Sequence, residues 1–547
     1  MNLPTATEAE WRSAVDTVLK GKPFDTLVTT TPDGIAVQPL YTSGPEPHPA
    51  ARRAGAAPAP WEVRQRVSQP GEAVAELTAG AAGLLVSART PDTLAAALDG
   101  VHLEMAPVSV AGRGAGAALV DLWDAADVPL ADRAGTLGVD PIGAWARAGG
   151  ATDLNAAFDD LGALCARLDE HPSSVRAYVA DGTVWHEAGA TAVQELAWNI
   201  AAAVATVRVV PSAAGRVEFR WAVDADQFTG IAKLRAARQL WARVAELADD
   251  GGIDAAAASH HAETSRVMLT RYDTYTNALR NTVACFAAGV GGADAVTVWP
   301  HDEMVTPGGS PLGRRLARNT QTVLQSESNL WRVVDLAGGS WYVETLTAEL
   351  AAAAWAEIQR IDGLGGLVAA IEGGHVHAAL GEVLGARDRS VATRRRPLTG
   401  LSEFPDIAEP SPPVTKMPLV ARLTEPPFPE FGLNRLSETF EAQRGRADRH
   451  ERLTGARPLV YLAQLGTLAQ ATARTTFAKN LFEAGGITTA TGPVDGFADS
   501  GARLACLCSS DAVYAEHGAA AASELRAAGA DRVYVAGRKL DLAGVDE

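Results

Sequence analysis

The sequence predicts an α/β protein made of two parallel-sheet units, a (β/α)8 barrel and a smaller, incomplete flavodoxin-like domain, and three observations carry that expectation. The 547 residues exceed what one hydrophobic core usually supports. Between Phe24 and about Arg389, short β-rich runs alternate with Ala-rich helical segments at the spacing of right-handed βα units. After a proline-dense interruption the alternation resumes at Leu459, and it stops before a fifth strand.

Composition narrows the function classes. A formal charge of −17, from 48 Lys+Arg against 65 Asp+Glu, argues against a general nucleic-acid binder, which needs a basic face to displace counterions from phosphate. With 47% hydrophobic residues the chain is not disordered overall. Cys165, Cys285, Cys506 and Cys508 fit neither a disulfide framework nor structural zinc spacing. Met1–Trp11 lacks a basic stretch followed by an apolar one, and no segment reaches the roughly 18 uninterrupted apolar residues of a membrane span. A soluble, cytoplasmic protein is expected.

The elements follow in order. Residues 1–23 form an arm in which Thr5-x-x-Glu8 has the form of a capping box and Trp11, Val15, Val18 and Leu19 share one helix face. That face needs a cover, either a partner chain or its own domain. Residues 24–392 carry the barrel, with strands expected at Gly83–Ser87, Val175–Ala180, Val217–Val223, Val267–Thr270, Val296–Trp299 and Trp331–Leu336, and weaker ones at Val101–Glu104 and Val108–Val110. Helices Thr191–Val207, Tyr275–Ala288 and Ala348–Ile361 separate them. A closed barrel is the natural reading, although periodicity alone also permits a doubly wound sheet. Residues 393–456 are a proline-rich linker ending in a charged helical run, Asn434–Arg449. Residues 457–547 give strands Leu459–Ala463, Ile487–Thr491, Arg503–Cys508 and Arg532–Ala536, with helices Thr472–Ala484 and Ala519–Ala528.

Isolated reactive groups have plain readings. His375-x-His377 and His260-His261 read as surface-loop histidines without a third metal ligand, and Cys506-x-Cys508 as small hydrophobes on an apolar strand. Asp335 with Gly338-Gly339 reads as a turn closing a barrel strand.

Several segments in order, GIAVQPLYT (34–42), HEAGATAVQELAW (186–198), GRRLARNTQTVLQSESNL (313–330) and VDLAGGSWYVETLT (334–347), resemble the adenosylcobalamin-dependent acyl-CoA mutases, specifically methylmalonyl-CoA mutase. The C-terminal unit is similar to the cobalamin-binding domain of that family, and the resemblance covers nearly the whole chain. It implies a barrel enclosing an acyl-CoA, a cobalamin whose homolysis starts a radical rearrangement, and interconversion of (R)-methylmalonyl-CoA and succinyl-CoA.

Measured against that resemblance, the expected site residues are replaced. Leu468, Gln470 and Ala473 stand where the family's Asp-x-His-x-x-Gly motif places the carboxylate, the cobalt-ligating imidazole and the glycine. Asp511, after Ser509-Ser510, is expected to put a buried carboxylate against the cofactor's anionic tail. Arg66 stands at the position of the tyrosine beside the radical path, and Val184 at that of the thioester-binding histidine; His186 lies two places later. Between Tyr41 and Trp61 a Pro/Ala-rich loop replaces the CoA-clasping segment, and Arg52-Arg53 read as solvated charge rather than a phosphate site.

The resemblance therefore implies the small, non-catalytic subunit of a heterodimeric mutase. Its large-subunit partner would hold cobalamin and the acyl-CoA, and this chain is expected to have no catalytic, cofactor-binding or metal-binding residues of its own. The arm and linker are the expected partner-wrapping elements. A divergent active mutase and a regulatory interaction partner are the alternatives; the P-loop usual in a repair partner does not occur.

Overall fold

The computed structural model describes residues 6–51, 57–112, 114–169, 174–248, 253–412, 426–537 and 542–546. Eight parallel strands form the main sheet: β1 (Glu62–Val67), β2 (Gly83–Ser87), β3 (Val108–Ala111), β4 (Thr136–Val139), β5 (Arg176–Asp181), β6 (Val217–Val223), β7 (Ser259–Thr264) and β8 (Ala295–Thr297). Each pairs with its sequence neighbour from β1 to β3 and from β4 to β8, and β8 returns to pair with β1. That is the ring order of a (β/α)8 barrel. Every residue of β6 is buried, because one face meets the lumen and the other the surrounding helices.

The ring closes at a thin seam between β3 and β4. There the Val108 N–H donates to the Ala134 carbonyl at 2.9 Å. A Cβ on Gly135 would lie 1.9 Å from the Val108 oxygen, and one on Gly138 1.9 Å from the Val110 oxygen. Both glycines also have positive φ, 120° and 68°. The close approach of the two backbones thus requires glycine twice.

Three expected barrel strands are absent. Val267–Thr270 is a buried turn following β7, with Leu269 inaccessible and the Thr270 N–H held by Asn277 Oδ1 at 3.0 Å. Trp331–Leu336 is a 3-10 turn and loop, and Val101–Glu104 is a turn. In their places stand β1 and β7, which have too many polar residues to read as strands, and β4, a four-residue run interrupted by Gly138.

The N-terminal helix runs Glu8–Leu19, and its cap is Thr7 rather than Thr5, which lies outside the described residues. The Thr7 N–H donates to Glu10 Oε2 at 2.7 Å, while Glu8 pairs with Arg12 at 3.3 Å. Trp11 meets Phe24 edge-on at 5.9 Å, yet no residue of this helix is buried and Val18 is 78% exposed. The linker's charged helix is Glu438–Thr454. Just before it the chain lies across the barrel's mouth: the Asn434 N–H donates to the Glu187 carbonyl at 2.8 Å, and the Leu436 N–H to Val267 at 3.0 Å.

The second sheet has four parallel strands, β9 (Leu459–Gln464), β10 (Thr488–Pro493), β11 (Leu504–Cys508) and β12 (Arg532–Val535), in the order β10-β9-β11-β12. This is the flavodoxin-like order through its fourth strand. Val460, Leu462, Cys506 and Cys508 pack in a cluster with Ala478 of helix Leu468–Ala484, whereas Tyr461, Ala463, Ala505 and Leu507 pack with Leu525 of helix Ala519–Ala527.

Substituting Gly135→Ala should destabilise the barrel by at least about 2 kcal/mol, through left-handed strain and a wedge at the seam. The urea midpoint of the purified chain measures this, and a midpoint equal to wild type would show that the seam yields.

Candidate functional site

In a barrel of this kind, function belongs to the lumen and the strands' carboxyl ends. Here alternate residues of β1, β6 and β7 point charges inward, and the lumen is filled by ion pairs. Arg64 meets both oxygens of Glu218 at 2.9 Å and Glu62 at 2.8 Å. Glu218 also accepts from Thr136 at 3.1 Å, and His261 Nε2 lies 2.8 Å from Thr297 Oγ1. One layer nearer the mouth, Arg220 pairs with Glu263 at 3.2 Å and Asp181 at 3.3 Å, and Arg66 pairs with Glu263 at 3.0 Å. Burial would raise the Glu218 carboxyl, but Arg64, His261 and Arg220 outweigh it and hold it well below the usual carboxylate range.

At the mouth, Arg66 lies over the Trp299 ring at 4.3 Å and donates to Ser87 Oγ at 2.9 Å. Val184 is fully buried in the short helix Thr183–Ala188 and presents only methyl groups. His186 turns aside: its Nε2 lies 2.6 Å from Ser265 Oγ and its Nδ1 3.5 Å from Glu195. Arg147 and Arg266 both clasp Glu187, at 2.9 and 2.7 Å. Asp140 caps the helix Pro141–Arg147 by accepting from the Gly143 N–H at 3.0 Å. Burial, then the charge of Asp181, pushes its carboxyl up to about 7. Burial likewise pushes Glu303 up to about 7.

The second candidate region is the crevice where the strand order reverses, between the carboxyl ends of β9 and β11. Helix Leu468–Ala484 begins at Leu468, so that residue, Gln470 and Ala473 all lie on regular helix. Leu468 is 71% exposed, and the Gln470 side-chain oxygen accepts from the Thr467 N–H and hydroxyl, each at 2.9 Å. Gln470 therefore completes a capping box. Across the crevice Ser509 Oγ donates to the Leu465 carbonyl at 2.6 Å. The Tyr514 hydroxyl accepts from the Ser509 N–H at 2.7 Å and sits 2.9 Å from the Leu507 and Ala536 carbonyls. Asp511 is not buried as expected: its side chain is 58% exposed, at the start of a helical turn, and pairs with Arg474 at 2.5 Å.

Other sequence candidates resolve as packing. His260 and His261 are not loop residues but buried members of β7; His260 accepts from Trp221 Nε1 at 3.1 Å, and burial keeps its imidazole well below its usual range. His375 opens helix His375–Ala392, and His377 packs on Phe431 at 4.5 Å with its Nε2 2.8 Å from the Pro429 carbonyl. Asp335 pairs with Arg235 and closes no strand. Cys506 and Cys508 are buried in an apolar cluster. Arg52 and Arg53 lie outside the described residues, among which no group of three or more His, Cys, Asp or Glu could hold a metal ion.

Two features escaped the sequence reading although their signals were present. Charges at every second residue, as in Glu62-x-Arg64-x-Arg66 and Glu218-x-Arg220, mark strands whose inner face is ionic. Thr467-x-x-Gln470 has the spacing of a capping box.

A (β/α)8 barrel joined by a long linker to a flavodoxin-like sheet defines the acyl-CoA mutase class of architecture. The family model for methylmalonyl-CoA mutase matches residues 65–423. The chain is 44% identical over its whole length to the methylmalonyl-CoA mutase small subunit of Streptomyces virginiae, covering 94% of that protein. It is 36% identical to the small subunit of Propionibacterium freudenreichii subsp. shermanii, with 98% of this chain and 90% of that one covered. It is also 29% identical to the large subunit of Streptomyces virginiae, over 73% of this chain and 62% of that one. The chain belongs to the methylmalonyl-CoA mutase family.

Two predictions concern the lumen and mouth. Glu218→Gln leaves Arg64 buried with only Glu62 as an anionic partner, and should cost about 3 kcal/mol, read as a lower urea midpoint. Asp140 binds its proton more tightly folded than unfolded, so its contribution to stability is present below about pH 4 and is lost as pH rises towards about 7. Asp140→Asn keeps the helix cap and removes the titration. The fall in urea midpoint between about pH 5 and about pH 8 should therefore be smaller in the variant than in wild type.

Proposed function

We propose that this chain is the non-catalytic small subunit of an adenosylcobalamin-dependent methylmalonyl-CoA mutase. It pairs in the cytoplasm with a large subunit that binds cobalamin and acyl-CoA and interconverts (R)-methylmalonyl-CoA and succinyl-CoA. The observation that carries the reading is Gln470: it stands at the family's cobalt-ligand position and is spent on capping its own helix. On this reading cobalamin does not fit this chain, since an amide is a poor ligand beside an imidazole and the crevice is bridged by Ser509 and Tyr514.

The barrel supports the same reading from its own side. Val184 offers no donor to a thioester oxygen, and a site without one forgoes a few kcal/mol of transition-state stabilisation, about 3 kcal/mol in comparable cases. Arg66 and Glu263 occupy the inner space that a substrate would need. What the chain retains is shape: a barrel and an arm whose apolar face its own described residues cover only in part.

The test is co-expression with the large subunit encoded by the same organism. The two chains should purify one-to-one, with cobalamin absorbance and turnover in the complex and neither in the isolated small subunit. Tight cobalamin binding by this chain alone would overturn the proposal. Restoring Leu468→Asp, Gln470→His and Ala473→Gly together should yield no turnover in the isolated chain, because Arg66 and Val184 remain.

A further inference from the structure

The linker helix Glu438–Thr454 and the turn after β7 enclose a cleft of about 550 Å3. Arg446, Arg449 and Arg452 line it from the helix, and Arg271 and Arg435 also line it. Three acids share the lining, Glu438, Glu441 and Asp448, but each has a cation already. Arg435 pairs with Glu441 at 2.7 Å and reaches Glu438 at 3.8 Å. Asp448 pairs with Arg457 at 2.8 Å and accepts from the Tyr272 hydroxyl at 2.6 Å.

Three arginines are left over. Arg446 reaches only the Gln443 amide oxygen, at 3.3 Å, and Arg449 and Arg452 make no ion pair or hydrogen bond among the described residues. Their spacing of three residues stacks them on one helix face, the outermost two about 9 Å apart along the axis. A cation in the last turn is favoured by the helix dipole, which accounts for Arg452 but not for Arg446 two turns earlier. Like charges at this spacing repel one another, so the row is at its most stable with a multivalent anion beside it. The chain's net charge of −17 makes such a local surplus an exception on its surface.

We propose that this cleft binds an oligophosphate group, of the kind carried by nucleoside di- and triphosphates. Guanidinium forks match phosphate oxygens two at a time, and a row of three suits a chain of two or three phosphates better than a single anion. The volume lies within the range of small-molecule sites. The site is independent of the subunit assignment above, because none of its residues belongs to the lumen or the sheet crevice.

Calorimetry on the full chain at fixed ionic strength tests this with inorganic tripolyphosphate and ATP as probes and sulfate as control. Tripolyphosphate should bind at least tenfold more tightly than sulfate. Arg446→Ala, Arg449→Ala and Arg452→Ala together should weaken it at least tenfold, and Arg449→Gln alone should weaken it by a smaller factor. The urea midpoint should stay unchanged, since all three side chains are exposed. Equal affinity for ATP and tripolyphosphate supports recognition of the phosphate chain alone, and tighter ATP binding supports the nucleotide as source. No binding by wild type, undiminished binding by the triple variant, or an equal loss in an Arg167→Ala, Arg208→Ala control on the outer helices would overturn the proposal. So would absence of binding coupled with loss of the large subunit by the triple variant, which would make the row a contact for an acidic protein segment.

Discussion

The interior of the barrel depends on one arrangement, the alternation of guanidinium and carboxylate across the lumen. Arg64 on β1 and Glu218 on β6 face each other through the lumen, and Arg220, Glu263 and Arg66 continue the alternation towards the mouth. Desolvating these groups singly would cost several kcal/mol each, so none is tolerable without the others. The pairs span the barrel rather than run along one strand, and they therefore fix the strands against one another. Along the axis these side chains form a polar core.

The mouth is treated consistently with the interior. Arg147, Arg266 and Glu187 lock together beneath the segment 426–437, which is itself fastened to the barrel by backbone hydrogen bonds. Phe431 enters edge-on against Trp185 at 5.3 Å, and Phe428 against Trp145 at 4.8 Å. The linker thus acts as part of the barrel's wall. In the smaller domain Ser509 and Tyr514 do the equivalent work, tying together strand ends that a ligand would otherwise separate.

How much of this was legible in the sequence depended on where each residue type sits. Strands β2 and β3 were readable because their apolar runs are buried on both faces, and β6 because Val217, Phe219, Trp221 and Val223 alternate with its charges. EVRQRV and SHHAET were missed because lumen-facing charges imitate a solvent face. Val267–Thr270 was misread for the converse reason: a buried turn has the apolar content of a strand. At the site, the replaced positions could be found by comparing motifs, but what the replacements do could not. Asp511 was expected in the interior because the resemblance implies a cofactor tail beside that position, and it instead meets solvent and Arg474.

The Gln470 cap sets a cost on changing that position. A histidine placed there alone would remove the oxygen that holds the Thr467 N–H, at a cost of about 1 kcal/mol. Leu468, 71% exposed at the first helical position, carries no such cost, since an acid there would meet the positive end of the helix dipole. The cap acts as a latch: the oxygen that steadies the start of the helix is the one that any change of side chain at this position gives up.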